Sequence, residues 1–179
     1  MTSAPPAPDV PSTSASRAGV WLATGLGLGY APVAPGTAGS LASVALFVLA
    51  QTFVQPAMFP LVYVAGLVVL LLAAWWSTEQ ALRHWQSKDP QTVVIDEVVG
   101  QWVAYSGIIF AEWRQLTTSG WKYVVAGFIL FRAFDVLKPF PIRRSERLPG
   151  AAGVVVDDVL AGLYAAVGLI LLAWTGWLN

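Results

Sequence analysis

No cysteine occurs among the 179 residues, which excludes disulfides, thiol nucleophiles and thiolate metal sites, while leaving the redox compartment undetermined. Histidine is almost absent as well. The one imidazole, His84, sits in ALRHWQSK, a stretch that reads as a solvated or interfacial helix face, so a histidine-rich zinc centre is excluded. Charge is scarce: Asp, Glu, Lys and Arg make up 11% of the chain against 56% hydrophobic residues, and mean hydropathy is +0.64. A water-soluble domain of this size could not cover itself with so little polar surface, so the composition predicts a membrane protein. Nor is there an excess of either sign. Ten basic residues balance ten acidic ones, which gives no bulk attraction to nucleic acid.

What is present is apolar sequence in runs. The first 18 residues, MTSAPPAPDVPSTSASRA, are rich in Pro, Ser and Ala without periodicity and read as a disordered tail. No apolar segment follows a basic one there, so it is not a signal peptide. Residues 19–179 form the membrane domain, with apolar runs near 41–59, 61–76, 98–112, 121–134 and 159–178. The expected fold is all-α and polytopic, with about five transmembrane or membrane-embedded helices; the three middle runs are short for a hydrocarbon core of about 30 Å. Gly100–Ala104 and Gly162–Ala166 place small residues four apart, which suits close helix packing. Nine Trp and five Tyr fit interfacial anchoring.

If all five runs cross, the segment before residue 41 and the connections 77–97 and 135–158 fall on one side. Arg17, Arg83, Lys88, Arg132, Lys138, Arg143, Arg144 and Arg147 lie on that side, against Arg114 and Lys122 on the other. Eight against two makes it the cytoplasmic side by the positive-inside rule.

Five of the ten acidic residues occupy three short islands on that same side: Asp96–Glu97, Asp135 and Asp157–Asp158. Carboxylates beside hydrocarbon cost several kcal/mol unless a cation or hydrogen bonds compensate them, so three such islands suggest a site. In TVVIDEVVGQWVA and GVVVDDVLAGLYAA an acidic pair stands at an expected helix start, where the plainer reading is an N-cap. A cap needs one carboxylate, and each island has two. In FRAFDVLKPFPIRR, Arg132 and Asp135 share a helix face three residues apart, which a structural ion pair would also explain. Pro139 and Pro141 end that helix and free Lys138 and Arg143 to reach an anion. Oxygen ligands of this kind suit Mg²⁺. A fourth polar island, TGLGLGYAPVAPGTAGS, sets Gly36, Thr37, Gly39 and Ser40 before the first apolar helix, where backbone amides could approach a phosphate.

The blocks GYAPVAPGTAGS, IDEVVGQW, FRAFDVLKPFPI and GVVVDDVLAG, in this order and spacing, resemble those of phosphatidylglycerophosphatase A, over about Gly25 to Ala166. The resemblance implies an all-helical enzyme of the bacterial inner membrane, its site on the cytoplasmic face. It implies Mg²⁺-dependent hydrolysis of the phospholipid phosphatidylglycerophosphate to phosphatidylglycerol and inorganic phosphate. On the residues themselves, no cysteine or histidine nucleophile is available and no DxDx loop exists, which leaves attack by a metal-activated water with a carboxylate as base. Asp96, Glu97, Asp157 and Asp158 are the expected metal and water ligands. Arg132, Lys138 and Arg143 are expected to meet the phosphate charge, with Thr37 and Ser40 beside them, and Asp135 could serve either group. Two rivals remain: a transporter or channel subunit, which would carry charges near helix centres, and a CDP-alcohol phosphatidyltransferase, whose D-x2-D-G-x2-A-R run is absent. Oligomeric state is left open.

Overall fold

The computed structural model describes residues 15–112 and 116–176, and the described residues are helical, without strands. Residues 1–14 of the expected tail and Arg114 lie outside them. The helices are α1 (Arg17–Ala23), α2 (Pro35–Phe53), α3 (Phe59–Trp85), α4 (Ile95–Ala104), α5 (Ser106–Glu112), α6 (Leu116–Leu137), α7 (Ile142–Ser145) and α8 (Ala151–Trp174), with a 3₁₀ turn at Leu28–Tyr30. Three of them, α2, α3 and α8, are long and apolar enough to cross a membrane. On α3 the outer side chains, such as Val69 and Leu72, are about two-thirds exposed, as lipid-facing residues should be.

The run at 98–112 has a different fate. It divides into α4 and α5 at the buried Tyr105, and nine of the ten residues of α4 are buried. At 1.5 Å per residue α4 is about 15 Å long, half a hydrocarbon core. It is enclosed by α2, α3, α6 and α8, so its apolar side chains meet protein rather than lipid.

Helix starts also shift relative to the runs. Pro35 opens α2, so Gly36, Thr37, Gly39 and Ser40 lie in its first two turns rather than before it. Helix α8 begins at Ala151, after Gly150 in a left-handed conformation (φ 63°) and with the Glu79 carboxylate accepting from the Ala151 amide at 2.9 Å. Asp157 and Asp158 therefore stand at the end of its second turn, too deep to cap it. The tail shortens as well, since Ser16 caps α1 at Arg17.

The small residues explain how α4 comes so close to its neighbours. A Cβ on Gly100 would lie 2.6 Å from the Asp158 carbonyl oxygen, and one on Gly162 would collide with the Gly100 carbonyl. Only glycine permits this crossing, which sets the first turns of α4 beside the second turn of α8. The Val94 amide donates to the Ala23 carbonyl at 2.9 Å and fixes the start of α4 from the α1 side. Trp102, one of the expected interfacial anchors, is buried on α4, whereas Trp21, Trp121 and Trp174 are exposed.

Candidate active site

A cavity of about 670 Å³ lies where the α2 N-terminus, the segment before α4, the α6 end and the start of α8 meet. All five island carboxylates line it, together with Arg132 and Lys138. Tertiary packing thus unites groups up to 62 residues apart.

Asp96, Glu97 and Asp158 form its core. Each presents a carboxylate oxygen within 4.8 Å of the others, and both aspartates are more than nine-tenths buried. Among the described residues no lysine or arginine forms an ion pair with any of the three. Asp96 Oδ1 and Glu97 Oε2 are buried without a hydrogen-bond partner. Like charges in a low-dielectric site resist ionising together, and a bound cation removes that resistance. Orphaned, all-oxygen donors of this kind fit a hard divalent ion such as Mg²⁺.

Asp157 is turned elsewhere. Successive helix residues point about 100° apart, so while Asp158 faces α4, Asp157 Oδ2 accepts from Lys138 Nζ at 2.6 Å and its Oδ1 is buried without a partner. Lys138 also reaches Glu146 at 2.7 Å. Burial weakens its charge, but the hydrogen bonds it donates to both carboxylates outweigh that and raise its pKa. The structure therefore groups three of the four expected metal ligands and pairs the fourth with an expected phosphate ligand.

The remaining expected residues divide. Arg132 holds Asp135 at 2.7 Å and lies 3.5 Å from Ser40 Oγ, at the outer limit of a hydrogen bond. Ser40 is fully buried and donates to the Gly36 carbonyl at 3.0 Å. The cavity touches α2 at Ala34, Pro35 and Gly36, and Thr37 is not in its lining. A Cβ on Gly36 would collide with Glu97 Oε1, so any larger residue at the start of α2 would push that carboxylate aside. Arg143 is exposed and lines a second, adjoining cavity instead.

The polar residues not singled out as site residues from sequence include Lys88, Asp89, Gln91 and Glu146 in the cavity lining and, outside it, Gln101. Lys88 and Asp89 line the cavity from the segment before α4. Gln101 is fully buried with both amide atoms unpartnered, one turn beyond Glu97. Its i, i+4 spacing from Glu97 was the available signal. His84 is exposed and outside this cavity.

Residues 21–173 match the family model described as Phosphatidylglycerophosphatase A. The chain belongs to the phosphatidylglycerophosphatase A family. It is 32% identical over 169 residues to the Escherichia coli phosphatidylglycerophosphatase A, covering 93% of this chain and 91% of that one. The Haemophilus influenzae protein of the same name is 35% identical over 147 residues, 82% and 83% of the two chains. A Bacteroides thetaiotaomicron protein named "Putative phosphatidylinositol-3-phosphatase" is 38% identical over 157 residues, 87% and 93% of the two. No solved structure matches. Membership of the phosphatidylglycerophosphatase A family makes this chain a phosphatase, an enzyme rather than a channel subunit.

Proposed function

We propose that this protein hydrolyses phosphatidylglycerophosphate to phosphatidylglycerol and inorganic phosphate, at the cytoplasmic face of the bacterial inner membrane, with Mg²⁺ held by Asp96, Glu97 and Asp158. The observation that carries this reading is the convergence in one cavity of those three carboxylates, none ion-paired to a lysine or arginine among the described residues, with Arg132 and Lys138. A divalent ion there would draw charge from the phosphoryl oxygens and make a water more acidic.

The chain's own groups supply the rest. Arg132, steered by Asp135, offers a planar fork to the phosphoryl oxygens, and the open N-terminus of α2 at Pro35–Gly36 adds a positive dipole end. Water attacks phosphorus and the bond to the glycerol oxygen breaks, and the proton that a carboxylate takes from the water is the one it returns to the departing oxygen, so none is gained or lost. Asp135 and Asp157 are the carboxylates outside the three-membered cluster, and Asp157 Oδ1, buried without a partner, is the atom we assign to accept the water's proton. The Lys138 contact holds that carboxylate in place from its other oxygen. Apolar helices α2, α3 and α8 keep the acyl chains in the bilayer, so only the head group enters.

The cytoplasmic placement rests on the eight-to-two charge bias, and on the cavity's position where the connections on the basic side meet. Five crossings, counting α4–α5 as one embedded passage and α6 as another, keep that arrangement.

A second substrate has one specific observation in its favour, the 38% identity to the Bacteroides protein. Phosphate release by the purified protein from phosphatidylglycerophosphate, from phosphatidylinositol 3-phosphate and from phosphatidic acid, with Mg²⁺ or with EDTA, tests both. The expected result is EDTA-sensitive release, fastest with phosphatidylglycerophosphate. Release unaffected by EDTA would remove the metal role, and a faster reaction with the inositol lipid would replace the substrate.

A further inference from the structure

Beyond α6 the chain turns through Lys138, whose backbone is left-handed (φ 43°), into the short α7. Ile142 and Ser145, three apart, are buried, which leaves Arg143 and Arg144 facing outward with Arg147 beyond. These three arginines, Phe140 and Lys138 line a second cavity of about 460 Å³. No carboxylate lines it. Glu146, the acidic residue nearest in sequence, is turned to Lys138, and none of the three guanidiniums forms an ion pair among the described residues. Clustered like charges repel, and planar guanidinium forks match phosphate oxygens, so the groove is complementary to an oxyanion.

Two further features say where that anion comes from. Val136, Leu137 and Phe140 beside the groove are each more than 70% exposed, so it lies where apolar side chains meet cations, the level of lipid head groups. Lys138 lines both cavities, so the groove adjoins the acidic site. Phosphatidylglycerophosphate carries two phosphates, a terminal monoester and a diester nearer the acyl chains. We propose that Arg143, Arg144 and Arg147 form a subsite for the lipid phosphodiester, while the monoester occupies the acidic cavity. This inference rests on the substrate reading above and deepens it. The groove is then the specificity device that separates such a lipid from phosphatidic acid, whose one phosphate is the monoester itself.

The test is the double variant Arg144→Ala/Arg147→Ala, with Arg143→Ala alone as a milder second variant, assayed in mixed micelles. Expected is a rise of about 10- to 100-fold in KM for phosphatidylglycerophosphate with kcat within about twofold, as for a lost charged hydrogen bond. The rate with phosphatidic acid should move less than about twofold, so selectivity between the lipids falls. Equal losses on both lipids would mean that the arginines only draw the protein to anionic surfaces, and no loss on either would remove them from recognition; either result overturns the subsite. A binding arm is independent of turnover. Native mass spectrometry of the detergent-solubilised protein should show phosphatidylglycerol, which has the diester alone, retained by the wild type and lost from the double variant. Inorganic phosphate competing away that lipid at equal concentration would mark a free-phosphate site and overturn the assignment. If wild type releases no phosphate from phosphatidylglycerophosphate yet retains phosphatidylglycerol in an arginine-dependent way, the substrate reading fails and the subsite stands.

Discussion

Helix α4 carries two opposite kinds of site on its ten residues. At its C-terminal end, Trp102 lies in an aromatic cluster: Tyr63 stacks on it with ring centroids 5.4 Å apart, and Phe47 stacks on Tyr105 at 4.3 Å. The polar atoms there find partners. Tyr63 Oη donates to the Trp102 carbonyl at 2.5 Å, Trp102 Nε1 donates to the Tyr63 carbonyl at 3.3 Å, and Tyr105 Oη donates to the Val124 carbonyl at 3.2 Å. At the N-terminal end, Asp96 is buried and Glu97 half-buried, each with one buried oxygen unsatisfied, and Gln101 between the two ends is unsatisfied at both amide atoms. Burial is similar at both ends. What differs is satisfaction, and an unsatisfied buried polar group is costly unless something else completes it. The aromatic end holds the helix; the acidic end presents oxygens that the protein itself leaves unpaired.

The difference can be broken from either side. The largest effect is expected at the acidic end: Asp96→Asn or Asp158→Asn should lower kcat/KM about ten-thousand-fold, near 5 kcal/mol at 1.36 kcal/mol per decade. In EDTA the same variants should unfold no earlier than wild type, because one of three crowded charges is gone. A thermal midpoint several degrees lower would show that these carboxylates hold the fold together.

Trp102→Ala should do the reverse, costing about 3–5 kcal/mol of stability through the cavity it leaves. Turnover per folded molecule should change little. A folded, stable Trp102→Ala protein with lost activity would mean that the aromatic cluster positions the site directly.

Smaller again is the effect of the ion itself. Mg²⁺ at a hundred times its dissociation constant should stabilise wild type by about 2.7 kcal/mol, as any ligand bound only by the folded state does. Thermal unfolding of Asp158→Asn should respond far less. The smallest effect is Tyr63→Phe, about 1 kcal/mol from one lost hydrogen bond, read as a lower unfolding midpoint with kcat unchanged.

The gathering of the acidic islands was largely legible in the residues. Five carboxylates beside apolar runs are costly enough to be read as a site without any coordinates, and the cavity contains all five. Two of the three long helices, α2 and α8, were legible for the same reason, since a sustained apolar run has few other uses, whereas the run at 61–76 reads as short and α3 continues past it to Trp85. The status of α4 was not. An apolar stretch facing lipid and one enclosed by protein have similar composition, and only the packing of α2, α3, α6 and α8 around α4 separates them. Helix starts were blurred because Pro35 and Gly150 act earlier than the apolar runs suggest.

By itself, then, the sequence determined that the chain is helical with apolar runs of membrane-crossing length and which acidic and basic groups stand beside those runs, because composition and charge placement need no fold to be costly. The tertiary structure decided how those groups pair. Asp158 joins Asp96 and Glu97, while its neighbour Asp157 turns to Lys138 and Arg143 falls into a separate groove. The reason is geometric: adjacent residues on a helix point about 100° apart, and which of them faces a partner depends on how closely glycines such as Gly100 and Gly162 let two helices cross.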